Sequence, residues 1–313
     1  MACDEIREKT HHGSNGSCDD CQPRFDRRLR SVVLDGIAAR IVVGVDRREV
    51  QMATMRQLSE TDEIAVNQQG RGGRSLPSTP VVRLEENPGY PVLVGPDQKQ
   101  AGEHFAVLRA RLLEARARSG VSTILLSSPQ QQEGKSFTCL NLAISLAQLR
   151  TERVLLVDAD LRVRGMSNAL GLDRGTGLCD YLRERASFEG CVRPTTLPCL
   201  HFVCSGDIAD QDLPAALEGC RWPMFLRRAK EEFSLVIVDS VPMSAPIVDF
   251  ELLLHACDAV LLVVFLHKTT REALDIASQK SQGKLLGVVV NNTQCEVSSN
   301  YYSYYMRKQS KER

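Results

Sequence analysis

Residues 122–137 read Ser-Thr-Ile-Leu-Leu-Ser-Ser-Pro-Gln-Gln-Gln-Glu-Gly-Lys-Ser-Phe. An apolar run over Ser122–Leu126 gives way to a polar loop, and Gly134-Lys135-Ser136 then opens a stretch with helical periodicity. A Gly-Lys-Ser triplet at the start of a helix that follows a strand has the layout of a phosphate-binding loop. Backbone N–H groups and the helix N-terminus supply positive potential, Lys135 reaches the β- and γ-phosphates, and Ser136 can ligate Mg²⁺. The strict pattern puts glycine at position 129, where this chain has Pro129. The triplet alone is as compatible with a chance helix start, so the decision rests on what surrounds it.

Outward from the loop, further short apolar runs lie at Val154–Val157, His201–Cys204, Leu235–Val238, Ala259–Val264 and Leu286–Val290. Helical stretches fall between them, near 135–149, 212–232, 248–256 and 270–281. Upstream, Phe105, Leu108 and Leu112 stand at helical spacing within Glu103–Leu113, and Gly120 is a plausible stop. Apolar runs without alternation, separated by helices, predict a parallel sheet buried on both faces. In such sheets ligands bind at the carboxyl ends of the strands, so the residues after each run are the ones to inspect.

The run after the loop ends in Asp158-Ala159-Asp160, and the run at 235–238 closes on Asp239. Two carboxylates at the mouth of a parallel strand suit Mg²⁺ and the activation of an attacking hydroxyl. An apolar strand closed by Asp has the form of a carboxylate that holds Mg²⁺ through water. A single Asp in such a place is often no more than a helix cap or a solvated turn. Loop, paired Asp and later Asp in this order nonetheless fall where one nucleotide site would need them. Together they predict an α/β chain, a P-loop NTPase with a mainly parallel sheet covered by helices on both faces.

The whole chain has 313 residues, 39 Lys+Arg against 39 Asp+Glu, and a formal net charge of zero. A general nucleic-acid binder would be clearly basic, so no nucleic-acid partner is expected. The longest apolar run, Ala259–Leu266, is far below the about 20 residues a spanning helix needs, and the first residues show no secretory pattern. A cytoplasmic protein without direct membrane insertion is therefore expected. Most of the 11 cysteines, such as Cys139, Cys204 and Cys257, sit alone in apolar runs and read as buried thiols. A zinc site can be drawn from Cys18 and Cys21 with Cys3, His11 and His12, but the spacing of a finger is missing, and a polar tail is the preferred reading.

Three domains are expected. Residues 1–95, with the linker-like Asn67–Pro80, form a largely flexible tail, although a short helix or strand can form around Val32–Val45. Residues 96–297 form the nucleotide-binding domain. Residues 298–313 form a tail that holds Tyr301, Tyr302, Tyr304 and Tyr305 beside Arg307, Lys308, Lys311 and Arg313. Four of six tyrosines in five positions, flanked by Ser, Asn and charge, make little sense as core. They read as a phosphoacceptor cluster on a tail able to enter an active site, or else as a sticky aromatic end.

These residues together resemble the bacterial tyrosine kinases, the autokinases of capsule and exopolysaccharide synthesis of the CpsD/CapB type, the exosortase-associated variety being most similar. The resemblance runs over about residues 100–305 through the SSP…EGKS loop, VLLVDADLR, LVIVDSVP and the terminal tyrosines. It implies ATP and Mg²⁺ as cofactors. It also implies Glu133, Gly134, Lys135, Ser136, Phe137 and Asn291 around the nucleotide, with Asn291 at the position near the adenine. Ser136, Asp158 and Asp239 would lie around the metal. Lys135, Asp158 and Asp160 would be catalytic, with Asp158 favoured as the base toward tyrosine. A ring of identical subunits that phosphorylate each other's tails, a membrane-spanning polysaccharide co-polymerase (chain-length determinant) as activator, and recruitment by it to the inner face of the membrane follow from the same resemblance.

Two departures stand out. Family loops read Pro-Gly-Glu-Gly-Lys, where this chain has Gln131-Gln132-Glu133-Gly134-Lys135. If Gln132 must take a left-handed backbone, it costs about 1–2 kcal/mol. The family's interface helix reads Glu-x-x-Arg-x-x-Arg; here Glu103 and Arg109 match, and Ala106 replaces the first Arg. Two other readings compete. One is an ATPase switch of the partitioning and septum-positioning (ParA/MinD) type, whose extra loop lysine is replaced by Gln130 here. The other is a weakly nucleotide-binding regulatory scaffold of the polysaccharide machinery.

Overall fold

A computed structural model describes residues 42–45, 81–84, 99–172, 176–244 and 247–292. The readings of Cys18 and Cys21, of the linker at 67–80 and of Tyr301–Tyr305 fall outside these residues.

Eight strands form one sheet among the described residues: β1 (Val42–Val45), β2 (Thr123–Ser127), β3 (Val154–Asp158), β4 (Arg193–Pro194), β5 (Leu200–Val203), β6 (Leu235–Asp239), β7 (Ala259–Phe265) and β8 (Leu285–Asn291). Their order is β1-β8-β7-β2-β6-β3-β5-β4. Every neighbouring pair is parallel except β4 with β5. The helices are α1 (Lys99–Ser119), α2 (Lys135–Ala147), α3 (Gly165–Ala169), α4 (Leu178–Leu182), α5 (Phe188–Cys191), α6 (Leu213–Glu218), α7 (Arg221–Glu232), α8 (Ile247–Ala256) and α9 (Arg271–Lys280). The α/β architecture and the mainly parallel sheet agree with the sequence reading.

The central strands are buried on both sides, and their side chains alternate between two cores as the pleat requires. Ile124, Leu126, Leu156, Ile237 and Leu261 pack with Phe105, Leu108 and Leu112 of α1 and with the apolar face of α2. Leu125, Leu155, Val157, Val236, Val238 and Leu262 face the other core, against Trp222 and Phe225 of α7 and Leu253 and Leu254 of α8. Trp222 is fully buried, and its Nε1–H reaches the Leu253 carbonyl at 3.0 Å, so no polar atom of the indole is stranded. None of the described helices is long and apolar enough to cross a membrane. Cys139, Cys204 and Cys257 are buried, as expected, and so are Cys179 and Cys191.

The structure is finer than the pattern in three places. The stretch expected as one helix near 212–232 is two, because Gly219 is extended between α6 and α7. The short α3, α4, α5 and β4 have too few residues to show a period in sequence. Two pieces of the stretch read as a tail join the sheet. Val42–Val45 pairs in parallel with Val288–Asn291, and Val82 exchanges backbone hydrogen bonds with Pro194 (2.9 Å) and Thr196 (3.0 Å). Val82 and Leu84 are buried in the α1–α2 core.

The start of β2, the strand that leads into the loop, is fixed by one carboxylate. Asp258 Oδ2 accepts from the Ser122 N–H (2.9 Å), the Ser122 hydroxyl (3.0 Å) and the Thr123 N–H (2.9 Å), while Lys230 Nζ donates to Oδ1 at 2.7 Å. Partial burial works against the charge, but these donors outweigh it and hold the carboxyl down at about 2, against an ordinary 3.8. A depressed acid pKa means that the unfolded chain binds the proton more readily, so this stabilisation is present above about 4 and is lost as pH falls toward 2. Asp258→Asn is expected to cost about 1–2 kcal/mol at pH 7 after discounting for solvent screening. The gap from the parent chain should close in acid, as urea denaturation at a series of pH values will show.

Candidate active site

Strand order decides which side chains meet. β6 lies between β2 and β3, with Leu126 beside Asp239 and Asp158 beside Asp239 in register. The loop after β2 and the carboxylates that end β6 and β3 therefore share one edge of the sheet, where α2 begins.

Lys135, the first residue of α2, points its ammonium into this edge. Its Nζ stands 2.8 Å from Asp160 Oδ2, 3.6 Å from Asp239 Oδ1 and 3.3 Å from the Ser136 hydroxyl. Burial opposes the lysine's charge, yet Asp239 and Asp160 outweigh it and hold the ammonium well above the ordinary lysine range. Asp158 has no exposed surface. Its Oδ2 accepts from the Ser167 N–H (2.8 Å) and hydroxyl (2.6 Å), and its Oδ1 from the Asp160 N–H (3.2 Å). Ser167 in turn accepts from the Ser205 N–H at 2.9 Å, which ties α3 to the segment after β5. Burial, and then the charge of Asp239, push the Asp158 carboxyl up from the usual aspartate range, while the Ser167 bonds pull it back.

Asp239 is different. It is fully buried, and its carboxyl is raised by burial against the pull of Lys135 and Ser136, while Lys135 Nζ, 3.6 Å from Oδ1, stands just beyond close hydrogen-bond distance. Buried carboxylate oxygens so loosely satisfied are costly. Three carboxylates face one ammonium here, and the donor set is all oxygen, with Ser136 at its edge. The chemistry of this set suits a hard divalent cation of the Mg²⁺ type, which would offset the excess negative charge, but among the described residues no three His, Cys, Asp or Glu side chains converge closely enough to hold a metal by themselves.

The loop between β2 and α2 is bent through left-handed backbone at Gln132 (φ 58°) and Gly134 (φ 89°). The strained conformation expected for Gln132 is thus present. Glu133 is fully buried and works inside the loop: its Oε2 accepts from the Gln130 N–H at 2.7 Å, and its Oε1 accepts the Thr269 hydroxyl. Burial pushes its carboxyl up, and the bonds from Thr269 and Gln130 pull it back. Asn291 donates its Nδ2–H to the Glu133 carbonyl at 2.9 Å, so its amide buttresses the loop. The Phe137 ring packs edge-on against Phe105, with centroids 5.9 Å apart. The structure thus gathers Glu133, Gly134, Lys135, Ser136, Asp158, Asp160, Asp239 and Asn291 at one site. Ser167, Ser205, Lys268 and Thr269 join them unannounced, because a lone Ser or Thr between apolar runs carries no motif. Arg162, which grips Asp249 of α8 through Nε and Nη2, is legible only as part of the DADLR run.

No protein-family profile matches the chain. Tyrosine-protein kinase YwqD of Bacillus subtilis is 30% identical over 210 residues, which cover 66% of this chain and 86% of that protein. This chain belongs to the bacterial tyrosine-protein kinases. Tyrosine-protein kinase CpsD of Streptococcus agalactiae is 29% identical over 206 residues, 64% of this chain and 86% of that one. The solved BceF tyrosine kinase domain superposes with a TM-score of 0.64 over 86% of this chain and 99% of that one, at 20% identity, a likeness of fold. These relatives place the kinase within the family as a whole and do not single out the exosortase-associated variety.

The close approach of Asn291 to the loop gives this kinase a glycine that geometry demands. A Cβ on Gly134 would lie 2.1 Å from Asn291 Nδ2, whose amide is held at both ends by Glu133 and Asn292. Gly120 has a similar φ of 69° but open space around it. Gly134→Ala is therefore expected to cost about 2–3 kcal/mol and Gly120→Ala about 1 kcal/mol, compared by chemical denaturation.

Proposed function

We propose that this kinase transfers the γ-phosphoryl group of Mg-ATP to tyrosines of its own C-terminal tail, and thereby regulates exopolysaccharide or capsule synthesis and export. The observation that carries this reading is the Lys135 ammonium set between Asp160 and Asp239 at the start of α2, against the fully buried pair Asp158 and Asp239. Phosphoryl transfer asks of a protein chiefly positioning and charge neutralisation, and this edge of the sheet offers both.

The roles sort by position. The N–H groups of Gly134, Lys135, Ser136 and Phe137 surround the phosphates, whose charge the helix N-terminus and Lys135 favour. Glu133 and Asn291 keep the loop open for them. Ser136, Asp158 and Asp239 would hold Mg²⁺, which when bound neutralises charge that develops on the phosphate oxygens. Asp158, raised by burial and by Asp239, can take the proton of the attacking tyrosine hydroxyl as phosphotyrosine and ADP form. Asp160 orients Lys135. Tyr301, Tyr302, Tyr304 and Tyr305 are the acceptors, on a tail at 298–313 that follows a catalytic domain built mainly from 96–297, to whose sheet and core Val42–Val45, Val82 and Leu84 of the N-terminal stretch also add.

We further infer a homo-oligomer and an activating membrane-spanning co-polymerase that brings the kinase to the inner face of the membrane. The interface helix departs from the family's ring contact, so a ring assembled through that contact is not proposed. Besides Ala106 in place of Arg, the matching Arg109 donates to the Ser145 carbonyl (2.6 Å) and hydroxyl (3.1 Å) within its own chain.

Purified protein given Mg-ATP is expected to become phosphotyrosine-positive on the tail by mass spectrometry. The signal should vanish with Lys135→Met or on removal of residues 300–313. ATP hydrolysis without phosphotyrosine would overturn the reading in favour of an ATPase switch. Because Gln132 holds φ 58°, Gln132→Gly is expected to tighten Mg-ATP binding about tenfold by calorimetry.

A further inference from the structure

We propose that Thr269 and Lys268, on the turn between β7 and α9, are positioning residues that hold the phosphate loop in the left-handed bend at Gln132. The inference rests on the reading of this loop as an ATP site, and it concerns how the chain keeps that site formed with glutamine where glycine would bend freely.

Glutamine at φ 58° lacks the freedom of glycine, so the bend must be imposed by its neighbours. Both residues that flank it are held from this turn. Lys268 Nζ donates to the Gln131 carbonyl at 2.6 Å, and the Thr269 hydroxyl donates to Glu133 Oε1. The direction of the Thr269 hydroxyl is set, because its oxygen accepts the Phe265 N–H at 2.9 Å, which leaves its own hydrogen for Glu133. Glu133 passes the restraint back into the loop through the Gln130 N–H at 2.7 Å.

The turn is itself rigid enough to serve as an anchor. His267 takes φ 65°, the Lys268 and Thr269 N–H groups both return to the Phe265 carbonyl at 3.1 and 3.0 Å, and Thr270 caps α9 by accepting the Ala273 N–H at 3.2 Å. Glu133 has no exposed surface, so loss of the Thr269 hydroxyl would leave a buried carboxylate short of one donor, with no water to replace it. Lys268 is exposed, and its contact is the weaker of the two.

The test is a double-mutant cycle on the full chain, with Mg-ATP as the probe in calorimetry and thermal denaturation of each unliganded variant alongside. Thr269→Val is expected to weaken binding about tenfold and Lys268→Met about threefold, while Thr269→Ser keeps the hydroxyl and binds as the parent does. Once Gln132→Gly is present, each loss should shrink to within about twofold, since glycine needs no help to bend. A merely structural role would carry the same loss into both backgrounds. Equal losses in the two backgrounds, or no loss in either, overturn the inference. If Thr269→Val does not fold, the exposed Lys268→Met completes the cycle alone. Absence of Mg-ATP binding by the parent chain overturns the underlying ATP reading, whereas normal parental binding with additive losses overturns this inference and leaves that reading standing.

Discussion

The site depends on the burial of two carboxylates side by side. Asp158 and Asp239 end adjacent strands in direct register, without exposed surface, and a buried charge is tolerated when it is paired, hydrogen-bonded or able to keep its proton. All three compensations are in use. Asp158 is satisfied from inside by Ser167 and the Asp160 N–H, both carboxyls are raised, and one ammonium, Lys135, stands between Asp160 and Asp239. What remains is an excess of negative charge around Asp239, whose partner Lys135 stands 3.6 Å away.

Much of the surrounding architecture serves that arrangement. Lys135 arrives because α2 starts where the loop ends, and α2 is held by its buried face against β2, β3 and α1. The loop keeps its bend because elements far away in sequence reach it: Asn291 from the end of β8, and Lys268 and Thr269 from the turn after β7. An acid at the far end of β2, Asp258, fixes where that strand begins. Three-dimensional position is thus bought with hydrogen bonds between strand ends rather than with contacts along the chain.

The resemblance to bacterial tyrosine kinases that the motifs suggest is upheld by the relatives in family and in fold. Against the family pattern this chain departs in backbone freedom, at Gln131-Gln132, and in one charged residue of the interface helix, replaced by Ala106. The first departure is met within the same chain by the turn after β7. Arg109, a matched residue of the same helix, donates to the Ser145 carbonyl on α2 within the chain.

The strands, the α/β class and the charged members of the site could be read from sequence because each has a local signature. A strand buried on both faces is a short unbroken apolar run; Asp158, Asp160 and Asp239 stand at the ends of such runs, and Lys135 and Ser136 follow one across the loop, in a Gly-Lys-Ser triplet. Only the tertiary structure decided the rest. The insertion of β6 between β2 and β3 puts Asp239 between the loop and Asp158, and no periodicity along the chain encodes strand order. Four- and five-residue helices are too short to show a period, and the joining of Val42–Val45 to β8 depends on partners at 288–291, far away along the chain. Ser167, Lys268 and Thr269 gained their parts for the same reason: a hydroxyl or an ammonium has no meaning in sequence until the fold brings an acceptor within about 3 Å of it.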